Sequence, residues 1–147
     1  MNKISCGVII RDFDRMLVAR PTNHKLWNIP KGIEDPMDLD YYTTAIREAW
    51  EETNIDLLHY LDNYNIKCND LGKYPYYKGK DLVLFEFIFE TEDLPDINNI
   101  KCESMFFNKS LNIYQPELSE FKYIPIKDYP KYLNYSLVKV FDKIFIN

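Results

Sequence analysis

Residues Leu82–Phe89 read LVLFEFIF, a continuous apolar and aromatic run bounded by charges. A run of that kind is typical of a strand buried within a sheet. It is matched near the start by Ile4–Ile10, rich in β-branched residues, and by the shorter Met16–Ala19. The polar Arg11–Arg15 stretch between those two fits a hairpin turn. Ser104–Phe107 and Phe121–Ile126 are weaker strand candidates, and Pro21–Asp38, with three prolines, reads as mostly loop. At the other end Leu133, Leu137, Val140, Phe141, Ile144 and Phe145 recur at helical spacing, as in an amphipathic helix docked on a core. Strands and helices mix without a βαβ rhythm. The expected fold is therefore α+β, a mixed sheet with helices packed on it. With 147 residues, 12 Tyr and 9 Phe, the chain can fill such a core, which excludes a disordered tail protein. No internal repeat or low-complexity linker interrupts it, so residues 1–147 read as a single domain.

The charge balance narrows the partners. A net charge of −5 is the wrong sign for a protein that wraps duplex nucleic acid, so a compact substrate held by local groups is expected. The three cysteines form no CxxC pair and no even disulfide set, which suits a reducing, cytoplasmic setting. No apolar run reaches membrane-spanning length, and the opening MNKISCGVII is too short in its apolar part for a secretory signal.

The segment Asp40–Ile55 carries the chemistry. Asp38 or Asp40 can N-cap a helix running to about Thr53, and Asn54 sits where a helix end often turns left-handed. At 100° per residue, Tyr42, Ile46, Ala49, Trp50 and Thr53 fall on one stripe, expected to face the core. Glu48, Glu51 and Glu52 fall on the opposite side, spaced so that each pair repels by roughly a few tenths of a kcal/mol. A divalent cation would remove that repulsion, and an oxygen-only ligand set suits Mg²⁺ or Mn²⁺ rather than zinc. The bland alternative is a solvated acidic face. Two features weigh against it. Arg47 can grip Glu51 one turn on, and Pro30-Lys31-Gly32 upstream can bring backbone close to a ligand.

WNIPKGIEDPMDLDYYTTAIREAWEETNI resembles the Nudix box and its usual lead-in. Gly32 fits the first Gly of that pattern, and Arg47, Glu48, Ala49, Glu51, Glu52 and Ile55 fit its core in register. Three positions depart from it. Asp38 stands where the family has its first Glu, eight residues rather than seven separate it from Arg47, and Asn54 replaces the late Gly. The inserted residue leaves Asp38 or Asp40 as the stand-in for that Glu. Outside the box, CGVII with MLVAR, GKDLVLFEF and PELSEFKYIPIKDYPKYL also resemble the family, so the likeness covers roughly residues 4 to 133. It implies an α/β/α sandwich around a mixed sheet.

The resemblance also implies hydrolysis of a nucleoside diphosphate linked to another group, by water attack on a pyrophosphate bond with divalent metal. An acidic protein needs such metal to meet an anionic polyphosphate. By resemblance Glu48, Glu51 and Glu52 are the metal ligands, Gly32 adds a carbonyl, and Arg47 orients a carboxylate. Glu120, with Glu117 second, is the candidate general base. Arg20 and Lys31 are placed to reach phosphates. Lys73–Lys80 reads as a loop that interleaves aromatics and cations, and Tyr76 and Lys80 within it are candidates to stack a base and hold phosphate. The PKG lead-in resembles that of dinucleoside polyphosphate and diphosphoinositol polyphosphate hydrolases and of enzymes that trim RNA 5′ ends, and the net charge of −5 favours the dinucleoside polyphosphate over the more anionic inositol pyrophosphate. RNA 5′-end pyrophosphohydrolysis and diphosphoinositol polyphosphate hydrolysis are the alternatives, and a non-catalytic Nudix-fold binding module is the rival of another class. Trp27 reads as packing under the loop, and neither His24 and His59 nor the cysteines carry a catalytic pattern.

Overall fold

The structure is a computed structural model that describes residues 2–145. The first hairpin joins β1 (Lys3–Arg11) to β2 (Arg15–Pro21), as the two apolar runs predict. Its turn is held by the Asp12 carboxylate, which accepts the backbone N–H groups of Asp14 and Arg15 at 2.9 and 2.7 Å. Within the loop that follows, Lys31–Ile33 forms a short strand, β3, against Ser5–Gly7 of β1. Helices α1 (Tyr41–Thr53) and α2 (Leu57–Asn63) come next, then the hairpin of β4 (Lys67–Tyr77) and β5 (Lys80–Ile88). A small two-stranded sheet pairs β6 (Met105–Asn108) with β7 (Ile113–Pro116). The chain then runs through β8 (Leu118–Pro125), the single turn α3 (Tyr129–Tyr132) and α4 (Tyr135–Ile144).

The main sheet has the order β4-β5-β1-β2-β8, with β3 on the side of β1. It is mixed, because β1 and β5 are parallel while its other pairs are antiparallel. Side chains of β1 alternate between two cores. Ile9 faces Leu137, Val140 and Phe141 of α4, while Val8 and Ile10 face Ala45 and Ala49 of α1 and Leu57 of α2. The sheet is thus sheathed by helices on both faces, which is why Leu82–Phe89 shows no alternation. Among the described residues no helix is long and apolar enough to cross a membrane.

Two readings need correction. The segment Lys73–Lys80 is not an open loop, because β4 continues to Tyr77 and only Lys78 and Gly79 turn back into β5. As an edge strand, β4 tolerates Pro75 and two register shifts, which hid it in the sequence. Trp50 is not core but 51% exposed. The buried side of α1 is instead Thr44, Ala45, Ala49, Glu52 and Thr53, so the helix is rotated toward its small residues and Glu52 is drawn inside. The short α2 and β7 gave no sequence signal.

Candidate functional site

The site is assembled where α1 passes under β3. Asp40 caps the helix by accepting the Thr43 N–H at 2.8 Å, and Asn54 ends it at a φ of 65°, the left-handed turn that Asn tolerates. This settles the two aspartates. Asp40 is the cap, and Asp38 meets Arg47, whose Nη2 donates to Oδ2 at 2.9 Å. The same guanidinium donates to Glu48 at 3.0 Å, to both oxygens of Glu51 at 3.1 Å, and to the Ile33 carbonyl at 3.2 Å. One planar fork therefore fixes the box loop and two carboxylates of the helix at once. Hydrogen bonds from Arg47, from the Asp35 backbone and from Thr44 hold the Asp38 carboxyl well below the usual carboxylate range.

Gly32 lies directly over Glu48. A Cβ at this position would collide with all three atoms of the Glu48 carboxyl group. Glycine here lets the Glu48 carboxyl group lie against the backbone of β3. Beside it Glu52 is 6% exposed, with Oε1 accepting the Lys31 backbone N–H at 2.9 Å. Burial pushes its carboxyl up to about 8, opposed by that hydrogen bond and reinforced by the charges of Glu48 and Glu117. Glu48 is raised as well, chiefly by burial. Burial also pulls the Lys31 ammonium below its ordinary value, with the Glu52 charge opposing it. Half-buried Glu48 is paired with Arg47, whereas buried Glu52 is in no ion pair among the described residues, and hard oxygen donors of this kind fit a divalent cation such as Mg²⁺ or Mn²⁺. Among the described residues no three such groups converge on one point, since Glu51 is turned toward Arg47.

The remaining candidates divide between this place and others. A cavity of about 210 Å³ is lined by Asn28, Lys31, Glu52, Glu117 and Leu118. Glu117 thus faces Glu52, on the short link between β7 and β8. Glu120 is engaged elsewhere, because it pairs across the sheet with Arg20 at 2.9 Å and the two neutralise each other. That pairing joins residues a hundred positions apart and is invisible in the sequence. Tyr76 is 8% exposed, so its ring packs in the core rather than offering an open face for a base. The Lys31 ammonium lies over it, 5.5 Å from the ring centre. Lys80 sits over Tyr77 at 5.2 Å. Trp27 packs edge-on against Tyr132, as a packing residue would. The Cys6 thiol is pushed up to about 12 by burial, which suits no nucleophile. A larger cavity of about 570 Å³ opens beside Glu34, Asp35 and Asp38 but includes neither Glu48 nor Glu52.

The model of the NUDIX domain matches residues 1–144. The chain belongs to the Nudix family. Its family is that of hydrolases acting on pyrophosphate bonds. An uncharacterized 17.7 kDa protein from the e-segB intergenic region of Enterobacteria phage T4 is 31% identical, over 99% of this chain and 97% of that protein. Solved structures share the fold. The Escherichia coli dihydroneopterin triphosphate pyrophosphohydrolase superposes with a TM-score of 0.65 at 16% identity, covering 100% of this chain and 99% of the other. A Caenorhabditis elegans Ap4A hydrolase binary complex gives 0.61 at 22% identity, covering 97% and 96%. The expected sandwich around a mixed sheet is therefore that of the Nudix fold.

Proposed function

We propose that this Nudix protein is a divalent-metal-dependent pyrophosphohydrolase that cuts a nucleoside diphosphate linked to another group, with a dinucleoside polyphosphate as its substrate class. One observation carries the reading: buried Glu52 lies one helical turn from Glu48, whose carboxyl group rests against the Gly32 backbone where a Cβ would collide with it. Burial opposes ionisation of Glu52, whereas a metal site requires it.

Glu52 and Glu48 would hold the metal, with Glu51 recruited from Arg47 and the Gly32 carbonyl alongside. When bound, the metal supplies charge neutralisation and an activated water. Arg47 orients the carboxylates and touches no substrate. Lys31, on the wall of the same cavity, meets the phosphates. We assign the proton-accepting role at the attacking water to the Glu117 carboxylate rather than to Glu120, because Glu117 shares the cavity with Glu52 while Glu120 is tied to Arg20. That ion pair also takes Arg20 out of the phosphate-binding set. The substrate preference is supported by the net charge of −5, which disfavours an inositol pyrophosphate, and by the likeness in fold to an Ap4A hydrolase.

The test is a product-mass screen with Mg²⁺ and Mn²⁺. It spans dinucleoside polyphosphates, ADP-ribose, nucleotide sugars, nucleoside triphosphates, an inositol pyrophosphate and 5′-triphosphate RNA. A metal-dependent product from the dinucleoside polyphosphates is expected. Silence across the panel with Mg²⁺ binding intact would mark a non-catalytic module.

A further inference from the structure

The hairpin of β6 and β7 stands apart from the main sheet and leaves apolar side chains in water. Met105, Phe107, Leu111, Ile113 and Tyr114 are each 43–69% exposed. At about 200 Å² for a full side chain, that leaves on the order of 500 Å² of apolar surface on one small element. A patch of that size is at the upper end for a monomer. Ladder geometry shows which edge of the hairpin is open. The Glu117 N–H donates to the Ser104 carbonyl at 2.9 Å, in register with the β6–β7 pairs. Ladder bonds alternate along a strand, so Phe106 and Asn108 turn their backbone groups to β7, and Met105 and Phe107 turn theirs outward. Pro116, opposite Met105, fits this alternation because it has no N–H to give. Among the described residues no backbone hydrogen bond outside that ladder involves Met105 or Phe107. The outer side of β7 is covered, since the Thr22 hydroxyl donates to the Pro116 carbonyl and the Asn23 amide to the Gln115 side chain. Edge strand β4 is blunted by Pro75 and two register shifts, whereas Met105–Asn108 carries no proline and no charge.

The open edge is complementary to itself. Residues Glu103–Lys109 read ESMFFNK: an acid, a polar residue, three apolar residues, a polar residue and a base, centred on Phe106. Laid antiparallel against a second copy with Phe106 opposite Phe106, Met105 meets Phe107, Ser104 meets Asn108 and Glu103 meets Lys109, each of them twice. Opposed residues share a face, so the apolar pairs abut and opposite charges close both ends. Both charged residues are exposed. Among the described residues Glu103 has one ion pair, a 3.8 Å contact with exposed Lys101, and Lys109 has none. We infer that β6 is the interface between two copies of this chain, joined edge to edge about a two-fold axis into a four-stranded sheet of order β7-β6-β6-β7. The apolar surface of two hairpins amounts to roughly 1,000 Å², the size at which specific interfaces begin. A self-complementary patch closes as a dimer and leaves no edge to extend. The hairpin is also tied to the carboxylate site, because the Glu103 and Ser104 N–H groups donate to the Glu51 carbonyl at 3.0 and 3.1 Å. The inference stands independently of the hydrolytic reading above.

The experiment is sedimentation velocity of the full chain over a range of concentrations at low ionic strength, with circular dichroism to check the fold of each variant. The wild type is expected to be mostly dimeric by ~100 µM. Glu103→Lys and Lys109→Glu each set like charges opposite one another twice in a dimer, and each is expected to weaken self-association at least ~10-fold. Mixed in equal amounts, the two single variants regain both opposite-sign contacts, so they are expected to pair with each other more tightly than either pairs with itself. The double variant Glu103→Lys/Lys109→Glu is expected to return to within ~3-fold of the wild type. A wild type that stays monomeric at ~100 µM would overturn the inference. So would a dimer that neither charge reversal weakens, which would place the interface on another face, or a loss that neither mixing nor the double variant restores. Because no turnover is involved, failure of the hydrolytic reading would show in the substrate screen and not here.

Discussion

Arg47 and Gly32 do the most with the least. Arg47 gathers Asp38, Glu48 and Glu51 into one network, and Gly32 leaves the space that Glu48 fills. Gly32→Ala should therefore leave the fold intact, because only the end of a flexible side chain must move. Displacement of the Glu48 carboxylate should lower metal-dependent turnover at least ~10-fold. Far-UV circular dichroism together with an activity assay separates those two outcomes. Asp38 supplies a pH signature. Its folded-state value is depressed below the ordinary 3.8. The stability it contributes is present above that pH and is lost as pH falls through the folded value. Melting curves from pH 6 to 2 should fall more gently for Asp38→Asn than for wild type, with the difference confined to the acid end. The box itself was legible because it is local. Asp40 as cap, Asn54 as left-handed end and Arg47 on Glu51 all lie within one helix and its flanks. The Arg20–Glu120 pair was not, since it depends on strand register between β2 and β8.

At the scale of elements, α1 shows how a pattern can mislead. Its apolar stripe put Trp50 inside, yet the side that meets β1 and β3 is the one with Ala45, Ala49 and Thr53. Small residues allow close approach of helix to sheet, and that approach takes precedence over burial of one large ring. Trp50→Gln should accordingly cost less than about 1 kcal/mol in urea unfolding, where a core Trp would cost about 3–5. Asp40→Ala should cost about 1 kcal/mol through loss of the cap. The long apolar strands β1 and β5 were readable because burial on both faces leaves an unbroken signal. β4 was not, because an edge strand with Asn, Asp, Gly and Pro reads as loop.

For the whole molecule, the cost of the site should be visible in stability. The Glu52 value rises from 4.5 to about 8 on folding. Between those limits the native state holds a proton that the unfolded chain has lost, so metal-free stability should decline as pH rises through that window. Added Mg²⁺ should raise the melting temperature more at pH 8 than at pH 6, and a chelator should reverse it. Glu52→Gln should flatten both trends, as read by thermal melts across the range. The division of labour is spatial. Carboxylates sit between α1 and β3, Glu117 lies on the β7–β8 link, and Lys80, Lys139 and Lys143 line a separate cavity with Tyr76.

The central claim is that Glu52 holds the metal that makes this site hydrolytic. The most direct measurement is turnover of a dinucleoside polyphosphate against Mg²⁺ concentration for the wild type and Glu52→Gln, with circular dichroism on both. The account predicts saturable metal activation in the wild type and at least a ~10²-fold lower rate in a folded variant. Equal rates in the two proteins, or turnover indifferent to metal, would contradict it.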